Sequence, residues 1–177
     1  MKILGVDFTE SLYQVASDTS TRILIVLNLY CEDYGWIAEL CDAEAAFLHP
    51  NMEVEIYIEC IEGIVYLGII SKEFLKEYYI LLGKLIYGKV DSALLWLRMM
   101  EQYLVNECNV KRSKADSCIF FRKYEKRKLE LVMPVHVNNV FMAGKPETLK
   151  GIKEKIKEKF NISDSGEVKT FLGVYYK

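Results

Sequence analysis

The sequence predicts an α+β protein in which helices pack on one face of an antiparallel sheet. Strand-like patterns occur over residues 36–42, 129–137 and 140–143. Apolar residues recur at helical spacing within residues 92–106 and again within residues 149–160. Helices and strands alternate without a regular strand–helix–strand rhythm, which favours α+β over a parallel α/β sheet.

The first half of the chain predicts one helix followed by short strands. The helix covers residues 22–32, and a strand over residues 36–42 ends at Asp42. The segment AEAAFLHP comes next and is stopped by Pro50. Residues 60–76 carry no clear pattern. The remaining strand-like segments of this half are residues 54–59, 78–82 and 84–87.

The second half predicts two helices and a β-hairpin. Asn138 and Asn139 lie between two apolar strands, and asparagine tolerates the left-handed backbone of tight turns, so they predict a two-residue hairpin loop. Pro146 can begin the second helix. The buried face of that helix is predicted to carry Leu149, Ile152, Ile156 and Phe160. Further strands are predicted over residues 118–122 and 168–176.

Composition indicates a single globular domain without a general affinity for nucleic acid. Of 177 residues, 51% are hydrophobic and 27% charged, a balance that excludes a disordered chain. The net charge is −2, whereas an autonomous nucleic-acid-binding protein usually carries a basic excess. Two local basic clusters, at residues 111–114 and 122–128, fit either a solvated face or a phosphate-binding track.

Cysteine usage and the N-terminus predict an intracellular protein. None of the five cysteines forms a CxxC pair, and only His49 and His136 are available as histidine ligands, so no zinc site is expected. The first residues lack the apolar core of a signal peptide, and the apolar run at residues 23–29 is too short to span a bilayer. We expect a cytoplasmic or nuclear location, no secretion and no membrane partner.

Six segments, taken in order, resemble blocks of Ty1/copia-type retrotransposon reverse transcriptases. They are GVDFTES, CDAEAAFLHPNMEVEIYIECIEG, KLIYG followed by Trp96, VKRSKADSCIFF, VHVNNVFMAG and GEVKTFLGVYY. Each block alone is weakly specific, but their order is kept from Gly5 to Tyr176. The resemblance implies a polymerase palm-like sheet with part of the fingers, and no thumb or RNase H segment is expected. Residues 1–35 and 50–92 would be fingers-like, and residues 36–49 and 93–177 palm-like.

The resemblance also implies a degenerate catalytic site. In this family three carboxylates bind two magnesium ions, and Asp42 matches the first of them. Asn138 and Asn139 stand where the family has the other two aspartates. Phe47 matches the aromatic residue beneath the nucleotide sugar. Asp91 begins a stretch that stands where the family has a nucleotide-contacting Q-A-P-R element and that departs from it.

Each of these residues also has a structural interpretation, which the sequence leaves open. Asp42 can cap a strand end, Asn138 and Asn139 can form a turn, Phe47 can belong to the core, and His136 can be a satisfied half-buried histidine. Asparagine keeps a carbonyl oxygen but loses the charge that magnesium prefers. We therefore expect weak or lost binding of Mg²⁺ and of a nucleic-acid template–primer, and little polymerase activity.

Two functions remain open from sequence. One is a catalytically impaired reverse transcriptase remnant. The alternative is a non-enzymatic, host-retained protein-interaction module built on the palm scaffold. Both fit a chain that keeps its apolar pattern while losing charged site residues. A chain without its early fingers strands and its thumb is expected to expose apolar surface, and so to self-associate or bind a protein partner.

Overall fold

A computed structural model describes residues 16–52, 54–87, 92–124, 128–168, 170–171 and 174–175. Its elements confirm the α+β class. The helices are α1 (Asp18–Glu32), α2 (Gly63–Tyr66), α3 (Ser92–Cys108) and α4 (Pro146–Lys159), with 3₁₀ turns at Ala46–Leu48 and Lys72–Lys76. The strands are β1 (Ile37–Ala43), β2 (Tyr57–Glu59), β3 (Tyr79–Leu81), β4 (Lys111–Arg112), β5 (Ile119–Tyr124), β6 (Lys128–His136), β7 (Asn139–Gly144), β8 (Ile162–Glu167), β9 (Thr170–Phe171) and β10 (Val174–Tyr175).

Six strands form one antiparallel sheet in the order β4-β5-β6-β7-β1-β8. The central strand β7 joins the β6–β7 hairpin to β1, with Asp42 directly opposite Asn139. Strands β2 and β3 form a separate two-stranded ladder, and so do β9 and β10. The main sheet therefore brings the end of β1 next to the hairpin loop.

Both faces of the sheet are covered at its centre. Residues 131–135 and 140–144 are all buried, although successive side chains of a strand point to opposite faces. Consecutive apolar residues, rather than alternating ones, are typical of strands buried on both sides.

Helices α3 and α4 pack together and against the sheet. The Tyr103 hydroxyl of α3 donates to the Lys155 carbonyl of α4. Lys153 of α4 forms an ion pair with Glu39 of β1, N to O 2.8 Å. The predicted apolar face of α4 is confirmed, because Leu149, Ile152, Ile156 and Phe160 are all buried. These contacts fix α4 beneath β1 and the hairpin.

Three strand predictions need correction, and one strand was missed. The single strand predicted over residues 168–176 is instead the two short strands β9 and β10, which pair antiparallel. Residues 84–87 are not a strand, because Lys84 forms only an isolated bridge to Asn51. The strand predicted over residues 54–59 is reduced to β2. Strand β8 was missed, since ISDSGE is a polar edge strand, with one neighbour in the main sheet and no apolar alternation. In the part of the chain that is described, no helix is long and apolar enough to cross a membrane.

Candidate active site at the β6–β7 hairpin

The hairpin loop consists of Val137 and Asn138. His136 pairs with Asn139 across the hairpin, so Asn139 begins β7. The predicted loop of Asn138 and Asn139 is thus shifted by one residue. The pairing buries Val135 and Val140 opposite each other, and this burial fixes the register. Val137 takes the left-handed backbone instead, with φ of 56°.

The hairpin places both asparagines beside Asp42. The side-chain amide of Asn138 donates a hydrogen bond to the Asp42 carboxylate, and the Asn139 amide donates to Asn138 Oδ1 at 3.3 Å. The backbone N–H of Ala43 donates to the Asn138 carbonyl at 2.8 Å, which ties the loop to β1. The three residues predicted at the catalytic positions are therefore in mutual contact.

The electrostatics at this point are those of one carboxylate and two neutral amides. Burial raises the pKa of Asp42, the hydrogen bond from Asn138 lowers it, and the nearby Glu44 raises it, with a net upward shift. An amide N–H that donates to Asp42 can replace neither the charge nor the ligand oxygen of a second carboxylate. The arrangement can hold a hydrogen-bonded hairpin in place without a cation.

These residues do not fit the two-magnesium site of a polymerase. Magnesium needs hard oxygen ligands in octahedral geometry, and carboxylates supply most of the charge. Here Asp42 Oδ1 accepts the Asn138 amide, and Asn138 Oδ1 accepts the Asn139 amide. Across the described ranges, no group of three or more His, Cys, Asp or Glu residues could hold a metal ion.

The other predicted site residues lie near this centre or outside the described chain. Phe47 lies in the 3₁₀ turn after β1, is 8% exposed, and makes an edge contact with Tyr87 at 4.8 Å between ring centroids. That packing is what a core aromatic requires, and its role beneath a nucleotide stays a prediction. His136 is half-buried. Asp91 lies outside the described residues.

The sequence of the whole chain matches a known family. Residues 1–177 match the reverse transcriptases, RNA-dependent DNA polymerases. The chain belongs to this family. It is 25% identical over 171 residues to the retrovirus-related Pol polyprotein from transposon TNT 1-94 of Nicotiana tabacum, covering 96% of the chain and 12% of the relative. No solved structure matches it significantly.

A second relative supports the same assignment. The retrovirus-related Pol polyprotein from transposon RE1 of Arabidopsis thaliana is 25% identical over 174 residues, 98% of the chain and 11% of the relative. The chain therefore spans about an eighth or less of the length of these polyproteins. The predicted resemblance to copia-type reverse transcriptase domains is confirmed.

One contact of this reverse transcriptase domain was not foreseen from sequence. Trp96 of α3 was assigned to the core stripe, and it is fully buried. Its indole N–H also donates to the Val137 carbonyl at 2.8 Å, so α3 holds the hairpin loop. A buried tryptophan needs an acceptor for its N–H, which is a signal that a partner exists. It gives no indication of which residue that partner is.

The basic clusters take part in structural ion pairs. Arg112 contacts Glu101 of α3 at 2.7 Å, and Arg122 contacts Glu130 of β6 at 3.0 Å. Thr148 of α4 also donates to Glu130, so this pair links two strands to a helix. For both arginines the structural interpretation is therefore favoured over a phosphate-binding track.

Proposed function

We propose that this chain forms the palm and part of the fingers of a copia-type reverse transcriptase domain whose nucleotidyl transfer is impaired or lost. The antiparallel sheet supports the palm assignment, because Asp42, one residue before the end of β1, lies beside a hairpin that carries the two other family positions. This chain would therefore keep at most a reduced form of the activity of its much longer polyprotein relatives.

The proposed loss of activity rests on one observation. Asn138 stands where the family pattern has a carboxylate, and its side-chain amide donates to Asp42. The formal charge at the three positions falls from −3 in the family pattern to −1 here. At close range each missing charge weakens the attraction for a cation by about 4 kcal/mol per unit of cation charge in a moderately screened site. A site of this kind favours an internal hydrogen bond over a pair of divalent ions.

Template–primer binding should be weak for a related reason. The net charge of −2 supplies no basic excess, and Arg112 and Arg122 are neutralised by Glu101 and Glu130. Since phosphate contacts supply most non-specific affinity for nucleic acid, binding at physiological salt should fall below that of an active polymerase.

Primer extension on an RNA template, with magnesium or manganese, tests the proposal. We expect no extension by the unmodified chain and measurable extension by the Asn138→Asp/Asn139→Asp double variant. Adding Asp42→Asn to that variant must abolish extension again, which excludes a contaminating polymerase. Extension by the unmodified chain would overturn the proposal. If only the double variant extends, the two lost carboxylates are the defect, and if neither does, other altered parts contribute.

A second candidate function, protein binding on the same scaffold, is favoured by exposed apolar surface. Twelve of the seventeen exposed large apolar side chains among the described residues lie in residues 54–87, where only Leu85 is buried. In the β2–β3 ladder Tyr57 lies opposite Leu81, and both are at least half exposed. A surface of this kind is typical of an interaction site.

Light scattering coupled to gel filtration tests this second candidate through self-association. We expect the unmodified chain to elute as more than a monomer and the Tyr57→Ser/Leu81→Ser variant to shift toward the monomer. Tyr34→Ser, at an exposed apolar residue outside this segment, is the matched control. A sharp monomer peak for the unmodified chain at every concentration would exclude self-association.

A further inference from the structure

The hairpin loop at the candidate site has a backbone that its sequence does not favour. Of its two residues only Val137 has a positive φ, 56°, at a position where glycine is the usual choice. A β-branched residue in the left-handed region is an outlier and persists when the surrounding structure determines it. The groups that contact this loop should therefore explain its position.

Two hydrogen bonds hold the backbone of the loop. The Asn138 carbonyl accepts the N–H of Ala43 on β1 at 2.8 Å. The Val137 carbonyl accepts the indole N–H of Trp96 on α3, also at 2.8 Å. The loop is thus held between a strand of the sheet and a helix packed beneath it.

Trp96 is itself fixed by neighbouring rings. It is 0% exposed and makes an edge contact with Phe160 at 5.2 Å between ring centroids. His49 lies 5.5 Å from Trp96 and 5.4 Å from Phe160, and Tyr103 lies 5.3 Å from Phe160. Edge-to-face contacts of this kind favour one ring orientation. The indole N–H is therefore presented in a fixed direction.

We propose that Trp96 is a positioning residue, whose indole N–H fixes Val137 and thereby holds the Asn138 side chain against Asp42. The inference deepens the proposed function, because it concerns the same site and rests on that assignment for its catalytic meaning. Trp96 touches no reacting group in this arrangement and acts through the loop. In the Asn138→Asp/Asn139→Asp variant it would hold the restored carboxylate at the same place.

Hydrogen exchange followed by NMR tests the proposal in the unmodified chain. The protein has two tryptophans, so it gives two indole N–H signals. We expect the Trp96 indole to exchange much more slowly than free indole. Exchange at the free rate would overturn the proposal, whether or not any substituted protein folds. This readout does not depend on polymerase activity, so it stands apart from the outcome of primer extension.

A substitution then separates positioning from general stability. Trp96→Phe keeps an aromatic ring and removes the N–H donor, and Trp36→Phe is the matched control at a residue 7% exposed before β1. In Trp96→Phe the Ala43 N–H, which reports the loop, should exchange up to about tenfold faster relative to the Leu149 N–H of α4. In Trp36→Phe this ratio should be unchanged.

The two variants give a clear decision. A change in the Ala43-to-Leu149 exchange ratio in Trp96→Phe alone supports positioning. An equal change in both variants, or none in Trp96→Phe, would show that Trp96 only fills the core. The Asn138 side-chain amide provides a second signal, because its two proton resonances should approach those of a solvent-exposed amide in Trp96→Phe.

Discussion

The side-chain amide of Asn138 donates to the carboxylate of Asp42 although the two residues are 96 positions apart in the sequence. The contact joins the hairpin loop to the end of β1 at the place where a family polymerase would have two carboxylates. An amide and a carboxylate attract each other there, whereas two carboxylates repel. Under the proposed function, an internal hydrogen bond that stabilises the loop stands where an active polymerase would bind cations.

The first prediction concerns the charge at position 138. In Asn138→Asp two carboxylates meet at a half-buried point, so the pKa of the pair rises further above its ordinary value. A raised folded-state pKa adds stability below the unfolded pKa, and this is lost as pH rises through the folded pKa. We expect a stability deficit relative to the unmodified chain that grows as pH rises above the unfolded carboxyl pKa, about 4, and reaches about 1–3 kcal/mol near neutral pH.

Thermal denaturation across this pH range measures the deficit. Asn106→Asp is the control, because it adds the same charge at an exposed position of α3. Its effect should stay within about 0.5 kcal/mol at every pH. A deficit in Asn138→Asp that does not change with pH would contradict the contact between positions 42 and 138.

The second prediction is that magnesium stabilises the restored site alone. A ligand that binds the folded state raises stability by RT ln(1 + [L]/Kd), about 1.4 kcal/mol at roughly ten times Kd. We expect a magnesium-dependent rise in Tm for Asn138→Asp/Asn139→Asp and none for the unmodified chain. Sodium chloride at matched ionic strength controls for screening. An equal rise in both proteins would indicate a magnesium site elsewhere.

The third prediction concerns Asp116, which fixes the start of α1. Burial alone would raise the pKa of Asp116, but hydrogen bonds from the backbone N–H groups of Ser17 and Cys118 outweigh it and lower that pKa. A lowered folded-state pKa gives stability that is present above the unfolded pKa and lost as pH falls through the folded pKa.

Asp116→Asn should therefore cost about 1–3 kcal/mol near neutral pH and less in acid. Urea denaturation at neutral and acidic pH provides the measurement. Asp33→Asn, in an exposed turn after α1, is the control and should change stability little. A cost for Asp116→Asn that is equal at both pH values would argue against the ionised carboxylate as the acceptor.

Local sequence pattern predicted much of the secondary structure because the helices are strongly periodic. The spacing of apolar residues gave α3 and α4 to within two residues at each end. Strand β8 could not be found in this way, since an edge strand of polar residues has no apolar alternation. The burial of both sheet faces at β6 and β7 was not predicted, although consecutive apolar residues are typical of strands buried on both sides.

The candidate site was only partly accessible from sequence. The resemblance named Asp42, Asn138 and Asn139 together, and the sheet register brings them into contact. The turn preference of asparagine suggested the wrong loop, because the register of buried neighbours outweighs a local preference. The bond from Trp96 to Val137 spans 41 residues and has no local signature.

The fourth prediction compares two glycines in neighbouring elements. A Cβ added to Gly144 at the end of β7 would lie 2.5 Å from the Glu130 carbonyl oxygen and 2.9 Å from Leu149 Cδ1. The backbone of β6 must therefore move to accept it. Gly144→Ala should cost about 1–3 kcal/mol, the usual penalty for overpacking.

Gly151 on the exposed side of α4 gives the opposite expectation for the same substitution. A Cβ there would meet no atom within 4 Å. Alanine loses less backbone entropy than glycine when a helix forms, so Gly151→Ala should stabilise the protein by about 0.5–1 kcal/mol. Urea denaturation of both variants decides the matter. The two substitutions are expected to change stability in opposite directions, because only Gly144 lies close to β6. Similar effects of both would therefore contradict the close approach of β6 to β7 at Gly144.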